Sequence, residues 1–211
     1  MSTHVNRQKV VVATRNRGKL KEILKLLDAE RLGFDLVTID EIAPNAVLIE
    51  DEPTFEGNAL AKARQASAAT GLPALADDSG LEVDALEGEP GVRSARYAGE
   101  PSDDAKNNAK LIAAMNAMAA EARPGTISHT ARFRCAAAYV SPVHGTEVVT
   151  TGSCEGEIIT TPRGEQGFGY DPLFLIPALD RTLAELTIDE KNSLSHRAAA
   201  FRALADVLSE V

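Results

Sequence analysis

The sequence predicts a mixed α/β domain in which parallel and antiparallel strands share one sheet. In the first half of the chain, strand-like segments are separated by helix-like segments, as in a parallel sheet with crossover helices. In the third quarter, two long strand-like segments follow each other across a short polar turn, as in an antiparallel hairpin. The length of 211 residues matches one domain, so we expect a single domain over residues 1–211.

The chain opens with a strand, a turn and a helix. Residues 9–13 are a short β-branched run typical of a buried strand, which ends at the polar segment 14–18. Apolar residues then recur at i, i+3, i+4 and i+7, which predicts an amphipathic helix. Its apolar face consists of Leu20, Ile23, Leu24 and Leu27. Its solvated face is expected to carry Lys19, Lys21, Glu22 and Lys25.

The next segments predict a strand, a second helix and an acidic turn. A strand is expected at residues 34–39. Residues 50–70 contain Pro53 near the start and are followed by Gly71, the arrangement typical of a helix. Short extended pieces at 73–76 and 81–83 then flank a turn formed by Asp77, Asp78, Ser79 and Gly80.

The second half predicts a long helix, a hairpin and a final helix. Ser102 is expected to cap a helix that ends before Pro124 and buries Leu111, Ile112, Met115 and Met118. Residues 130–140 and 146–159 form the predicted hairpin, and a glycine-rich loop follows at 161–171. After a short strand at 173–176, the last helix is expected to begin near Ser193. Its core face consists of Leu194, Ala198, Phe201, Leu204 and Leu208.

Composition excludes several classes of protein. The net charge of -9 and the pI of about 5.0 argue against general affinity for nucleic acid or anionic membranes. No apolar run approaches the length of a membrane span, and residues 1–9 lack the apolar centre of a signal peptide. Cys135 and Cys154 are too few for a disulfide scaffold, so we expect two free thiols in a reducing cytoplasm.

The polar turn Thr14–Lys19 is a candidate phosphate site. It lies between a buried strand and a helix, where backbone N–H groups attract anions, and Asn16 and Lys19 add a neutral donor and a positive charge. The spacing of a P-loop is absent. An ordinary capped turn with a solvated lysine is the alternative.

Acidic residues around the second helix are candidate metal ligands. Glu50, Glu56 and Lys62 precede the adjacent carboxylates Asp77 and Asp78. Two neighbouring carboxylates are costly unless they are solvated, capped or bound to a cation. Oxygen ligands without nearby His or Cys suit Mg²⁺ or Mn²⁺. An acidic surface turn bonded to backbone is the alternative.

Two further places could bind a ligand. His196 and Arg197 are expected in the first turn of the last helix, where the helix dipole disfavours cations, so they could hold an anionic or keto-bearing group or simply be solvated. Phe168 lies between glycines and could be a hydrophobic plug or a stacking surface for a flat ring. A zinc site has little support because His4, His129, His144 and His196 form no ligand-spaced pair.

Six ordered motifs carry a resemblance to a known family. They are T-R-N-R-G-K at Thr14–Lys19, T-F-E-G-N-A-x-x-K-A at Thr54–Ala63, A-D-D-S-G-L at Ala76–Leu81, S-A-R-Y-A-G at Ser94–Gly99, G-F-G-Y-D-P at Gly167–Pro172 and S-H-R at Ser195–Arg197. With these motifs, residues 9–208 resemble the inosine triphosphate pyrophosphatases, the dITP/XTP pyrophosphatases that clear deaminated purine nucleotides. Arg15 stands where many bacterial members carry glycine.

The resemblance implies a two-lobed domain with a long central mixed sheet, a nucleotide cleft between the lobes, and a homodimer. It implies Mg²⁺ as the cofactor, with Mn²⁺ as a substitute, and a nucleoside triphosphate as the substrate. Glu50 and Asp78 would bind the metal, and Asp78 would also orient or deprotonate the attacking water. The residues expected to hold the triphosphate are Thr14, Asn16, Lys19 and Lys62.

The resemblance also implies roles at the base. Phe168 would stack on the purine within the segment that includes Gly169 and Tyr170. The edge of the base would be read by Asp171, Lys191, His196 and Arg197. Ser79 and Gly80 would shape the turn that presents Asp78. Lys19 and Glu50 would join Asp78 as catalytic residues.

Two alternative functions belong to other classes. A nucleotide-binding sensor that has lost turnover would lack Asp78, Glu50 or Lys19, and all three are present. A septum-associated nucleotide pyrophosphatase of related fold would open with an S-P-R-R turn, which is absent.

Overall fold

The computed structural model describes residues 7–123, 125–143 and 145–210. The strands are β1 (Gln8–Val12), β2 (Phe34–Thr38), β3 (Ala74–Val83), β4 (Thr130–Ser141), β5 (Thr146–Ile158), β6 (Phe174–Ile176) and β7 (Arg181–Thr182). The α-helices are α1 (Arg17–Leu26), α2 (Ile39–Ile42), α3 (Phe55–Thr70), α4 (Asp104–Glu121), α5 (Ile188–Leu194) and α6 (His196–Leu208).

Within the described residues, seven strands form one sheet in the order β2-β1-β3-β4-β5-β6-β7. Strand β1 pairs in parallel with β2 and with β3, whereas β6 pairs antiparallel with β5 and with β7. The prediction of a mixed sheet is therefore confirmed. The parallel pairs need helical crossovers, which α1 and the segment containing α3 supply.

The described residues fall into two compact units. The first unit contains the residues up to Asp78, Cys135–Gly152 and the residues from Arg197 onward, and the second contains Ser79–Arg134 and Ser153–His196. Each unit has its own apolar core. The first core includes Val10, Ile23, Phe34, Leu75 and Phe201, and the second includes Leu81, Leu111, Phe133, Tyr170 and Phe174. The single domain and the nucleotide cleft stay predictions.

The predicted helix at residues 50–70 begins later than expected. Its first helical residue is Phe55, because the side chain of Thr54 accepts a hydrogen bond from the backbone N–H of Gly57 and caps the helix there. The predicted end is confirmed, since Gly71 has the left-handed conformation (φ 69°) that favours glycine. Glu50 consequently lies in the segment before α3.

The predicted acidic turn at residues 77–80 is wrong. Strand β3 runs without interruption through these residues, and both aspartates are buried. Turn-forming residue types predicted a surface turn because burying two adjacent carboxylates is costly without compensation. Here cations of the first unit provide that compensation, as described below.

The remaining differences concern helix ends and faces. Helix α4 is capped by Asp103 rather than Ser102, because the Asp103 side chain accepts from the backbone N–H of Lys106. Met118 lies on the outer side of α4 and is 38% exposed, so its predicted burial is wrong. Pro124 lies outside the described residues. The last helix begins at His196, and the separate α5 before it was not expected.

Both cysteines are free and buried, one in each unit. Burial raises the pKa of the Cys135 thiol to about 12 and that of the Cys154 thiol to about 11. Among the described residues, no helix combines the length and the apolar character that a crossing of the bilayer requires.

Candidate active site

The start of α1 carries three of the predicted phosphate-binding residues. Asn16 is the N-cap, and its side chain accepts a hydrogen bond from the backbone N–H of Lys19 at 3.0 Å. The hydroxyl of Thr14 accepts a hydrogen bond from the backbone N–H of Asn16 at 3.2 Å. The Lys19 side chain is only 15% exposed, and its Nζ lies 3.4 Å from the Oδ2 of Asp77. The turn is therefore a capped helix start, but its lysine faces a buried carboxylate rather than solvent.

Lys62 brings together the two predicted metal ligands. Its Nζ donates a hydrogen bond to the Oε1 of Glu50 and lies 3.6 Å from the Oδ1 of Asp78. Glu50 comes from the segment before α3, whereas Asp78 comes from β3. Asn58, four residues before Lys62 on α3, donates its Nδ2 to the Oδ2 of Asp78 at 3.0 Å. Two carboxylates thus share one ammonium group, and the charge of Lys19 also acts on Asp78.

Asp77 belongs to a buried network of ion pairs. The Nε of Arg197 donates to the Oδ2 of Asp77 at 3.1 Å, and the Nη1 of Arg197 donates to the Oε2 of Glu22. The side chains of Arg197, Asp77 and Glu22 are 1%, 0% and 5% exposed. The prediction that Glu22 is solvated is wrong, because its carboxylate turns inward to neutralise Arg197. A solvated Arg197 is excluded for the same reason.

The two adjacent aspartates have opposite pKa shifts. Burial raises the pKa of Asp77, but Lys19 and Arg197 outweigh burial, so this pKa lies far below its ordinary value. Burial also raises the pKa of Asp78, and its cations offset that effect only in part, so this pKa lies above its ordinary value. Asp77 is therefore a fixed anion, and Asp78 is the more basic carboxylate.

Lys62 stays protonated in this environment. Burial by itself lowers the pKa of an ammonium group, but the neighbouring carboxylates outweigh burial and place the pKa of Lys62 above its ordinary value. A permanently charged lysine beside Glu50 and Asp78 can stabilise an anionic substrate group.

The glycine-rich loop of the second unit contains four of the predicted base-binding residues, 168–171, and contacts a fifth, Lys191 of α5. The Oδ2 of Asp171 accepts hydrogen bonds from the backbone N–H of Phe168 at 2.9 Å and from the Nζ of Lys191 at 2.6 Å. Asp171 and Lys191 are buried, whereas Phe168 is only partly buried. The Nζ of Lys191 lies 4.8 Å from the centroid of the Phe168 ring, within the range of a cation–π interaction.

The same loop is anchored after Phe168. The backbone N–H of Gly169 donates to the Oδ2 of Asp104 at 2.7 Å, and the Nδ2 of Asn108 donates to the carbonyl of Gly169 at 3.0 Å. The hydroxyl of buried Tyr170 donates to the carbonyl of Ser94 at 2.8 Å. These contacts hold the backbone that carries Phe168.

The remaining predicted residues lie in or beside the second unit's core. The ring of buried His196 stacks on Phe133, with centroids 4.8 Å apart and planes 12° apart. Ser79 follows Asp78 on β3 and is partly buried. His129 Nδ1 is hydrogen-bonded to the carbonyl of Ile158 at 2.8 Å. His4 and His144 lie outside the described residues.

Arg197 lies in the first unit, unlike the other residues that are predicted to bind the base. The resemblance implies a role at the base together with Asp171 and Lys191, whereas the contacts of Arg197 described above are with Asp77 and Glu22. A contact between Arg197 and a base stays a prediction. Glu22 and Asn58 were not singled out by sequence reasoning, although Asn58 lies in one of the six motifs.

Glu50 and Asp78 offer oxygen atoms of the kind that a divalent cation binds. Among the described residues, no group of three or more His, Cys, Asp and Glu side chains is arranged to hold a metal ion. Mg²⁺ is usually bound by one or two carboxylates together with water and substrate phosphates. Glu50 and Asp78, which share one ammonium group, fit a cation that is also held by a phosphate and do not form an all-protein cage.

Comparisons with known proteins agree over nearly the whole chain. The protein named dITP/XTP pyrophosphatase from Desulforamulus reducens is 47% identical over 203 residues, which cover 96% of each chain. The protein of that name from Geobacter sulfurreducens is 48% identical over 200 residues, covering 95% of this chain and 96% of the relative. The structure of a HAM1 protein from Coxiella burnetii has a TM-score of 0.84 at 40% identity and covers 97% of this chain and 100% of that chain.

The family assignment rests on the same extent of the chain. The sequence profile of the Ham1 family matches residues 10–207. This range includes Thr14, Glu50, Asp78, Phe168 and Arg197, so all parts of the candidate site lie within the match. The chain belongs to the Ham1 family.

Proposed function

We propose that the chain hydrolyses dITP, ITP and XTP to the nucleoside monophosphate and pyrophosphate. This reaction would remove deaminated purine nucleotides before their incorporation into DNA or RNA. The observation that carries the proposal is the pairing of Glu50 and Asp78 through Lys62, with Lys19 beside Asp77. Phosphoryl transfer requires cations for the phosphates and a base for the water, and these residues are of the required types. The names of the relatives support the substrate class.

In the proposed reaction, water attacks the α-phosphorus and pyrophosphate leaves. Asp78 takes the proton from the water, for which its raised pKa makes it the better base of the two aspartates. Lys19 and Lys62 stabilise the charge on the departing pyrophosphate. Thr14 and Asn16 bind phosphate oxygens at the start of α1.

We assign Mg²⁺ to Glu50 and Asp78, with Mn²⁺ as a possible substitute. The bound cation would polarise the phosphate oxygens. Glu50 and Asp78 both face Lys62, and the carboxylate oxygens of such a pair are ligands that suit these cations. Within this assignment, Lys62 fixes the orientation of both carboxylates before the substrate arrives.

We assign recognition of the base to the second unit and to Arg197. Phe168 would stack on the purine ring, on the segment that continues through Gly169 and Tyr170. A deaminated purine carries an acceptor oxygen at position 6, whereas adenine carries an amino donor there. Cationic donors therefore favour the deaminated base. The proposed readers of its edge are Asp171, Lys191, His196 and Arg197.

Arg197 would read the base in a fixed orientation. Its bonds to Asp77 and Glu22 hold the guanidinium in one plane, which is the preorganisation that selective hydrogen bonding requires. Ser79 and Gly80 would support the backbone beside Asp78. We further propose a homodimer that acts in the cytoplasm, as the resemblance and the two free thiols suggest.

A nucleotide panel tests the proposal. The protein with Mg²⁺ is incubated with dITP, ITP, XTP, ATP or GTP, and free phosphate is measured with and without added inorganic pyrophosphatase. We expect phosphate from dITP, ITP and XTP only when pyrophosphatase is present, and much slower turnover of ATP and GTP. Direct release of phosphate, or equal rates for ITP and ATP, would contradict the proposal.

A further inference from the structure

Helix α3 presents three polar side chains at the spacing of one helix face. Asn58, Lys62 and Gln65 are related as i, i+4 and i+7, the positions that an amphipathic helix usually fills with apolar residues. Asn58 and Lys62 are buried, and Gln65 is partly buried. This polar face is directed toward the segment that contains Glu50.

Gln65 holds both backbone polar groups of the residue before Glu50. Its Oε1 accepts a hydrogen bond from the N–H of Ile49 at 2.7 Å, and its Nε2 donates to the carbonyl of Ile49 at 3.2 Å. One planar amide thereby fixes the position and the direction of one residue's backbone. Residues 46–52 form neither helix nor strand, so no ladder of backbone bonds does this instead.

Asn58 holds the same segment on the other side of Glu50. Its Oδ1 accepts from the backbone N–H of Glu52 at 2.9 Å, while its Nδ2 donates to the Oδ2 of Asp78. Glu50 is therefore bracketed by two side chains of α3, at Ile49 and at Glu52. Between them, Lys62 binds the Glu50 carboxylate itself.

We propose that Gln65 is a positioning residue that places the Glu50 carboxylate opposite Asp78 for shared binding of the divalent cation. This inference rests on the proposed function, because it concerns the metal ligands of that reaction. Loss of the Gln65 amide would release the backbone of Ile49, on one side of Glu50, while the bond at Glu52 remains, so the carboxylate of Glu50 would sample more positions. When a metal-binding side chain samples several positions, the affinity for the metal falls more than the stability of the fold.

Two variants and one matched control test this role. Gln65→Leu removes both bonds to Ile49, whereas Gln65→Glu keeps the acceptor and removes the donor. Arg64→Leu is the control, because it also removes two hydrogen bonds, those to the exposed Glu147, while the interaction of Arg64 with the segment around Glu50 is an electrostatic attraction to Glu52 and not a bond to its backbone. The Mg²⁺ dependence of pyrophosphate release from ITP is measured for all three, with thermal unfolding as a check on the fold.

We expect the Mg²⁺ concentration for half-maximal rate to rise about 10-fold in Gln65→Leu and about threefold in Gln65→Glu, with little change in the rate at saturating Mg²⁺. A second readout does not depend on turnover. Mn²⁺ binding is followed by electron paramagnetic resonance in the presence of the non-hydrolysable inosine α,β-imidotriphosphate, and its affinity should fall by the same factors. Arg64→Leu should match the unchanged protein in both measurements.

A double-mutant cycle shows whether Gln65 acts through Glu50. In the Glu50→Gln background, Gln65→Leu should have no further effect on Mn²⁺ affinity, whereas additive losses would overturn the proposed route. If the unchanged protein releases pyrophosphate from ITP, but Gln65→Leu and Gln65→Glu bind Mn²⁺ as tightly as it does, only the role of Gln65 is overturned. Failure of the unchanged protein to release pyrophosphate from ITP would instead overturn the proposed function. If Gln65→Leu does not fold, Gln65→Glu decides.

Discussion

The Nε of Arg197 lies 3.1 Å from the Oδ2 of Asp77, and neither side chain is more than 1% exposed. The opposite nitrogen of the same guanidinium is bound to Glu22. Removing one member of a buried ion-pair network leaves the others as uncompensated charges, which costs far more than the net value of the network itself. The arginine therefore has a structural role in the first unit, whatever it contributes to substrate selection.

Replacing Arg197 by leucine should lower the free energy of unfolding by about 3–5 kcal/mol, because Asp77 and Glu22 lose their shared cation in a buried position. Urea denaturation at pH 7 measures this loss. Arg64→Leu is the control, since Arg64 and Glu147 form an ion pair whose side chains are 56% and 39% exposed. Such a pair contributes about 1 kcal/mol at most. Similar losses in both variants would show that the buried network is not special.

Asp78→Asn should reduce kcat at least about 100-fold, because the amide can neither take a proton nor supply a full charge to a cation. The fold should survive. The pKa of Asp78 is raised in the folded state, so the folded chain favours the protonated carboxyl, and the charged form costs stability at neutral pH. The variant should therefore unfold at an equal or higher temperature than the unchanged protein in metal-free buffer.

The unfolding temperatures of the unchanged protein and of Asp78→Asn should depend differently on pH. Stability attributable to Asp78 is present below its ordinary pKa and is lost as the pH rises through the raised value, whereas Asp78→Asn removes this loss. The difference in unfolding temperature between the two proteins should thus grow from pH 4 to pH 7 in favour of the variant. A difference that shrinks over this range would contradict the raised pKa.

Lys62 and Lys191 are both buried, and each is paired with a carboxylate, but their replacement should change different kinetic properties. Lys62→Met should slow ITP and ATP by a similar factor, because its ammonium meets the phosphates that both share. Lys191→Met should lower the preference for ITP about 10-fold, because a donor to the keto oxygen is lost. Values of kcat/KM for both nucleotides in both variants decide the assignment. A changed preference in Lys62→Met alone would reverse it.

Phe168→Ala should raise KM for every purine triphosphate about 10- to 100-fold, because stacking on an aromatic ring is worth about 1–3 kcal/mol. The loop itself should remain in place, since Gly169 is held by Asp104 and Asn108. Titration calorimetry with inosine α,β-imidotriphosphate measures the loss of affinity directly. An unchanged affinity would show that Phe168 is a plug in the core of the second unit.

Periodicity and turn chemistry predicted most of the elements but not the course of β3. The Asp-Asp-Ser-Gly sequence has the composition of a turn, and its burial depends on cations far away in the chain. Asp77 meets Arg197, which is 120 residues distant, and no local pattern can indicate that contact. Helix α5 is a different case. Its capping box of Thr187 and Glu190 is a local signal, so the sequence alone carries the information that predicts this helix.

The candidate site shows the same division between local and distant information. Asn16 and Lys19 were predictable because a polar turn before an amphipathic helix has a local signature. The burial of Glu22 could not be predicted, because a charged residue at this position of an amphipathic helix is usually solvated. Its partner Arg197 lies 175 residues away. The hydrogen bonds between Gln65 and Ile49 likewise have no sequence signature, since residues 46–52 form neither helix nor strand.

The two buried thiols make each unit readable by chemical labelling. Both thiols stay protonated at pH 7, because burial raises the pKa of Cys135 to about 12 and that of Cys154 to about 11, and only the thiolate is reactive. Alkylation in the closed state is accordingly negligible, and each thiol reacts when the structure around it opens. Cys135 therefore reports opening of the first unit and Cys154 opening of the second, so alkylation of the unchanged chain, with no introduced cysteine, can reveal which unit opens first under denaturant and which is protected when a nucleotide binds.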